Sequence, residues 1–238
     1  MKQYLERARK LLSDSKNNVN PFENFKPSEP EGVFLHPGSD EFNDMEQAGL
    51  KELSKVCFVL IAGGLGERLG FSGIKIGLPV VIIDKDYSYM KFYSQYVLAC
   101  EARARELEPT LPDSFYVPLA IMVSNDTHDR TIELLESHNY FGLKKEHVEI
   151  VKQENVPSMI DNNAKLALDE HGLISTKPHG HGDIHNLLYD SGVAAKWRDL
   201  GKEWMVFLQD TNALAVNAVP SVLGVSRKYS LEMNSVCV

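Results

Sequence analysis

The sequence predicts an α/β fold with a mostly parallel sheet, and three observations lead there. Val56-Cys57-Phe58-Val59-Leu60-Ile61 is apolar at every position and rich in β-branched residues, as a strand buried on both faces must be. Short apolar runs recur after it with helical patterns between them, the alternation from which βαβ units are built. A glycine-rich turn directly follows the first run, where such a sheet opens to ligands.

The elements follow in order. Tyr4, Leu5, Ala8, Leu11 and Leu12 share a face at helical spacing. Residues 13–38 are polar and carry Pro21, Pro27, Pro30 and Pro37, which reads as a linker or surface segment. A second helical pattern holds Phe42, Met45, Gly49 and Leu53. Residues 1–50 are therefore expected to form a helical N-terminal arm, and residues 51–238 the α/β body. After the first strand, Phe92, Tyr93, Tyr96, Val97, Cys100 and Leu107 make a helix face, and residues 119–123 a strand. Ile132 and Leu135 belong to a helix, residues 148–151 to a strand, and Leu187, Leu188 and Val193 to a helix. Residues 204–208 form a strand ending in a carboxylate, and residues 231–238 read as a further strand. The segment Lys165 to Ile174, with Gly172 beside Asp169-Glu170-His171, suggests an inserted hairpin.

Composition narrows the function classes. The chain has 238 residues, 43% hydrophobic and 24% charged, the mixture of an ordinary globular protein. A net charge of −8 disfavours nucleic acid and anionic membrane as partners. Three scattered cysteines, Cys57, Cys100 and Cys237, exclude a disulfide framework and suit a reducing compartment. No secretory signal or membrane-length apolar run is present. The expectation is a cytoplasmic protein, with a monomer favoured.

Three segments carry candidate chemistry. Ala62-Gly63-Gly64-Leu65-Gly66-Glu67-Arg68-Leu69-Gly70 follows the first strand; without Cβ atoms its backbone can approach a phosphate. The spacing fails the G-x-G-x-x-G dinucleotide fingerprint, and no G-K-[ST] follows for a Walker loop. A plain strand-to-helix turn is the bland alternative. Lys75, in the apolar Gly73-Ile74-Lys75-Ile76-Gly77-Leu78-Pro79, is a charge that needs a reason, and a phosphate is one. Lys177-Pro178-His179-Gly180-His181-Gly182-Asp183-Ile184-His185 reads either as a metal cluster or as a binding loop at a helix start, with Asp183 as N-cap and His185 at the surface. The spacing departs from the H-x-H-x-D-H pattern of metallo-hydrolases. Asp210, closing the Trp204–Leu208 run, stands where a strand-end carboxylate can hold Mg²⁺ against a phosphate, or simply cap a turn.

Read together, A-G-G-L-G-E-R-L-G, G-I-K, Q-E-N-V-P, K-P-H-G-H-G-D and Q-D-T-N resemble the UDP-sugar pyrophosphorylases, within the UDP-glucose pyrophosphorylase-like nucleotidyltransferase family, over about residues 51–238. The resemblance implies a Rossmann-like domain with an N-terminal extension and a C-terminal β-helical domain. It implies a reversible, Mg²⁺-dependent uridylyltransferase that joins UTP to a sugar 1-phosphate and releases pyrophosphate. Carried over by motif, Ala62, Gly63 and Gly64 line the nucleotide and Lys75 contacts its phosphates. Met122 stands in a strand that reaches the base, Gln153 pairs with uracil, and Gly180 meets the base from the other side. His181 faces phosphates or sugar, and Asp210 binds Mg²⁺. A Gln amide offers both donor and acceptor to a uracil edge. The family's second phosphate-binding lysine and second metal-binding aspartate come much later. The expectation is thus the front part of a catalytic domain, incomplete at its C-terminus and weakly active or inactive alone. The rivals are a non-catalytic uridine-nucleotide-binding module, a His-cluster metallo-hydrolase and, more weakly, an NAD-linked dehydrogenase.

Overall fold

Along the chain the elements run α1 (Lys2–Lys16), α2 (Asp40–Leu50), β1 (Val56–Ile61), α3 (Tyr89–Leu107), β2 (Leu119–Val123), α4 (His128–Ser137), β3 (Val148–Lys152), β4 (Asn155–Pro157), β5 (Thr176–Pro178), α5 (Asp183–Asp190), α6 (Val193–Asp199), β6 (Trp204–Gln209) and α7 (Val219–Tyr229). The structure, a computed structural model, describes residues 2–29, 31–81 and 83–236. They fall into two compact units, one of residues 1–33 with 154–179 and one of residues 34–153 with 180–238.

In the second unit, β3, β2, β1 and β6 form a parallel sheet in that order. Alternation along the strands divides its side chains between two cores. Val56, Phe58 and Leu60 of β1 and Leu119, Ile121 and Val123 of β2 pack with Met90, Tyr93 and Val97 of α3, Leu135 of α4 and Leu223 of α7. Cys57, Val59, Ala120 and Met122 pack on the other face with Ile184 and Leu188 of α5 and Trp197 of α6. From β1 the chain builds outward to β2 and β3, then returns to place β6 on the opposite side of β1. This reversal is a topological switch point, where the strand ends leave a crevice. β6 is the sheet edge: Leu208 is buried, but Met205 and Phe207 remain 37% and 39% exposed.

Residues 34–50, read from the sequence as part of the arm, belong to this unit. Ser39 caps α2 by accepting from the Phe42 N–H at 3.2 Å, and α2 crosses α7 at glycines. A Cβ on Gly49 would run into the Pro220 carbonyl, and one on Gly224 into the Met45 carbonyl. The sequence reading placed no helix at residues 219–229, which form α7, and expected a strand over 231–238. Residues 231–236 are instead irregular: after Ser230 in the left-handed conformation, the Leu231 N–H donates back to the Ser226 carbonyl at 2.9 Å, closing the helix end. Residues 237 and 238 lie outside the described residues.

In the first unit, α1 carries the expected face, with Tyr4, Leu5, Ala8 and Leu12 partly covered. The Tyr4 hydroxyl donates to the Pro157 carbonyl at 3.2 Å. β4 and β5 pair antiparallel, and bridges Met159–Leu166 and Leu168–Ile174 build the expected hairpin between them. Its turn is organised by the Asp169 carboxylate, which accepts from the N–H groups of His171 and Leu173, each at 2.9 Å. No helix among the described residues is long and apolar enough to cross a membrane.

Candidate functional site at the strand ends

The first glycine turn leaves the carboxyl end of β1. Its first residue, Ala62, is buried and donates its N–H to the Met122 carbonyl at 2.8 Å. Its own carbonyl accepts from the Thr127 hydroxyl at 3.2 Å, while that hydroxyl accepts from the Ser124 N–H at 2.9 Å. Thr127, wholly buried, therefore fixes the direction in which the turn starts. Gln153, 5% exposed, lies against Gly63 and leaves no room there for a Cβ. The Gln153 amide oxygen accepts from the Gly180 N–H at 3.3 Å. Gly180 has φ +129°, a conformation that favours glycine. The two glycine turns thus meet through one side-chain amide.

On the other side of Gly63, the turn meets the charged pair. A Cβ on Gly64 would sit 3.0 Å from the Lys75 ammonium nitrogen, so that ammonium lies directly against the glycine backbone. Lys75 in turn pairs with Asp210 at 3.6 Å, and the Thr211 hydroxyl donates weakly to the other Asp210 oxygen at 3.4 Å. Asp210, at the end of β6, is 6% exposed. Burial pushes its carboxyl above the ordinary carboxylate range; Lys75, Thr211 and His181 pull it back, and burial prevails.

Ala62, Gly63, Gly64, Lys75, Gln153, Gly180, His181 and Asp210 are thereby brought to one end of one sheet. Met122 stands apart. Its side chain points into the core with Val59 and Ile184 and has 0% exposure, because the β2 register turns alternate residues to that face. It supports the turn from below and has no surface for a nucleotide to touch. Asp183 also departs from expectation: Gly182 is the N-cap residue and Asp183 opens the first turn of α5, where its charge suits the helix dipole. His185 is exposed and packs on Phe207 with ring centroids 5.1 Å apart. Among the described residues no three His, Cys, Asp or Glu groups converge as a metal-ligand cluster. A single buried carboxylate suits a different kind of site, since Mg²⁺ is commonly held by one or two carboxylates with water and substrate phosphates completing its shell. Asp210 fits that pattern. Sequence reasoning missed Thr127; the turn-like Ser124-Asn125-Asp126-Thr127 after β2 was the available signal.

Fold and site together define a doubly wound α/β domain whose functional groups gather at the switch point. The family model described as UTP–glucose-1-phosphate uridylyltransferase matches residues 1–234, and the chain belongs to that family. It is 46% identical, over 99% of its length, to the UDP-sugar pyrophosphorylase of Oryza sativa subsp. japonica, of which it covers 38%. The UDP-sugar pyrophosphorylase of Arabidopsis thaliana is 45% identical with the same coverage, 99% of this chain and 38% of that protein. The chain therefore spans well under half the length of these relatives. In fold, it matches the uridine diphosphate N-acetylglucosamine pyrophosphorylase of Trypanosoma brucei, crystallised with an inhibitor, at a TM-score of 0.77 and 22% identity, over 95% of this chain and 46% of that one.

Proposed function

We propose that this chain supplies the UTP-holding part of a uridylyltransferase that joins UTP to a sugar 1-phosphate, giving a UDP-sugar and pyrophosphate. One observation carries the reading: a continuous string of contacts runs from Gly180 through Gln153 to Gly63, and from Gly64 through Lys75 to Asp210. One end of the string is a neutral amide, suited to a base; the other is charged, suited to phosphates. Family membership and two relatives named UDP-sugar pyrophosphorylase support it.

In this reading Gln153 pairs with the uracil edge. Its oxygen is already engaged by Gly180, so its NH₂ is the group left to meet a uracil carbonyl. The glycine turn holds the β- and γ-phosphates with backbone N–H groups. A sugar 1-phosphate oxygen bonds to the α-phosphorus in line as the bond to the bridging oxygen of the leaving pyrophosphate breaks. Lys75 takes up charge on the α-phosphate oxygens, and catalysis rests on positioning and neutralisation. Asp210 would hold Mg²⁺, which when bound neutralises phosphate charge. His181 faces the phosphates or sugar. The reading places the reaction in the cytoplasm on a monomeric chain.

Calorimetry tests this. UTP is expected to bind in preference to CTP, and Lys75→Ala to weaken binding about tenfold or more, because hydrogen bonds to charged groups contribute about 1.5–3 kcal/mol. Equal affinity for the two nucleotides, or a Lys75→Ala protein that binds UTP as wild type does, overturns it. The 38% coverage of the rice relative favours a second reading, nucleotide binding without turnover by these residues alone. A pyrophosphate-release assay with UTP and glucose 1-phosphate separates the two.

A further inference from the structure

We infer that Tyr93 is a positioning residue for Asp210: its phenol anchors the strand end from which that carboxylate projects. The inference rests on the uridylyltransferase reading of the site. Tyr93 projects from α3, 1% exposed, with its ring 5.6 Å from Phe92 and stacked 6.4 Å from Tyr89. Its hydroxyl donates to the Gln209 carbonyl at 2.7 Å. Gln209 directly precedes Asp210 and opens the tip that ends at Asn212. The tip's own closure is weaker: the Asn212 N–H reaches the Gln209 carbonyl at 3.4 Å, near the limit for such a bond. One buried oxygen therefore ties the strand end leading into Asp210 to a long helix in the core. The Asp210 carboxylate lies 3.6 Å from Lys75.

A hydroxyl buried this deeply needs partners in any protein, so a capping role alone would predict lost stability and nothing else. The positioning role predicts a selective loss. Groups that orient a metal ligand typically contribute 10–100-fold to metal affinity when removed. Tyr93→Phe deletes one oxygen and keeps the packed ring. UTP affinity of the full chain is measured by calorimetry in excess Mg²⁺ and in EDTA, for wild type, Tyr93→Phe and Asp210→Asn, with thermal melts to check folding. We expect Asp210→Asn to abolish the gain in affinity that Mg²⁺ gives. Tyr93→Phe should reduce that gain about tenfold while affinity in EDTA stays within about twofold. A Tyr93→Phe protein that keeps the full Mg²⁺ gain, or loses affinity equally in EDTA, overturns the positioning role and leaves the site reading intact. Absence of a Mg²⁺ gain in wild type itself, or its survival in Asp210→Asn, overturns the metal reading of Asp210 and the role of Tyr93 with it.

Discussion

Burial sets the Asp210 carboxyl above its ordinary pKa, and Lys75 at 3.6 Å only partly offsets this. The sign of the linkage follows. A raised folded-state pKa means that the folded chain binds the proton more tightly than the unfolded chain does. That contribution is complete below the unfolded value of 3.8 and is lost as pH rises through the folded value. At neutral pH the ionised carboxylate therefore opposes folding. Asp210→Asn, nearly isosteric, should raise stability at pH 7 in the absence of ligand. Lys75 keeps a 30% exposed side chain and can rehydrate once its partner is gone. A gain of about 1 kcal/mol corresponds to a rise in Tm of about 2–4 °C in a chain of this size. Urea unfolding should find the gap between variant and wild type closing as pH falls toward 3.8. A variant less stable than wild type at pH 7 would mean that the Lys75 pair outweighs desolvation. Asp210 could be singled out as a candidate from sequence because a carboxylate there closes an apolar run. The burial of the Met122 side chain was not legible, because its neighbourhood in the sequence says nothing about which face it serves; the β2 register alone decides that.

At the scale of elements, β1 and its glycine turn were legible because the signals are local: six apolar residues in a row, then glycines. α7 was not. Val219-Pro220-Ser221-Val222-Leu223-Gly224-Val225 is β-branched and contains both Pro and Gly, a poor helix by propensity. Tertiary contact overrides that propensity. Pro220 stands in the first turn, where its missing N–H is harmless. Gly224 lets the α2 backbone approach so closely that its Cα faces the Met45 carbonyl, with Gly49 making the reciprocal contact on Pro220. Propensity and packing then give opposite forecasts for one substitution. In an open helix Gly→Ala stabilises by about 0.5–1 kcal/mol. Here the added methyl meets backbone, which cannot step aside as a side chain can, and overpacking costs about 1–3 kcal/mol or more. Gly224→Ala should therefore lower Tm by about 2–12 °C. An unchanged or higher Tm would show that α2 and α7 are not in this close crossing. The inserted hairpin was readable for the opposite reason, since Asp161 and Asp169 organise their turns from within, by accepting from N–H groups two and four residues ahead.

At the scale of the whole chain, every group assigned to the proposed nucleotide site falls in the second unit, from Ala62 to Asp210, and none in residues 154–179. Ligand binding to a folded site stabilises by mass action, about 2.7 kcal/mol when ligand stands at 100 times Kd. For a two-state chain of this length that is a rise in Tm of about 5–10 °C. A melting curve reads only the sum, so amide hydrogen exchange is the sharper measurement. Saturating UTP with Mg²⁺ should slow exchange at Gly63 and Gly64, whose N–H groups are assigned to phosphates, and at Gly180 and His181 in the second turn. Asn212, whose N–H closes the tip onto the Gln209 carbonyl, should follow them if the tip is drawn tight by an occupied Asp210. The hairpin turns at Asp161 and Asp169 are closed by their own carboxylates and carry no assigned ligand contact, so their exchange should not change. Protection confined to residues 154–179, with the glycine turns exchanging as before, would place the ligand elsewhere and remove the ground for reading the strand-end cluster as a uridine-nucleotide site.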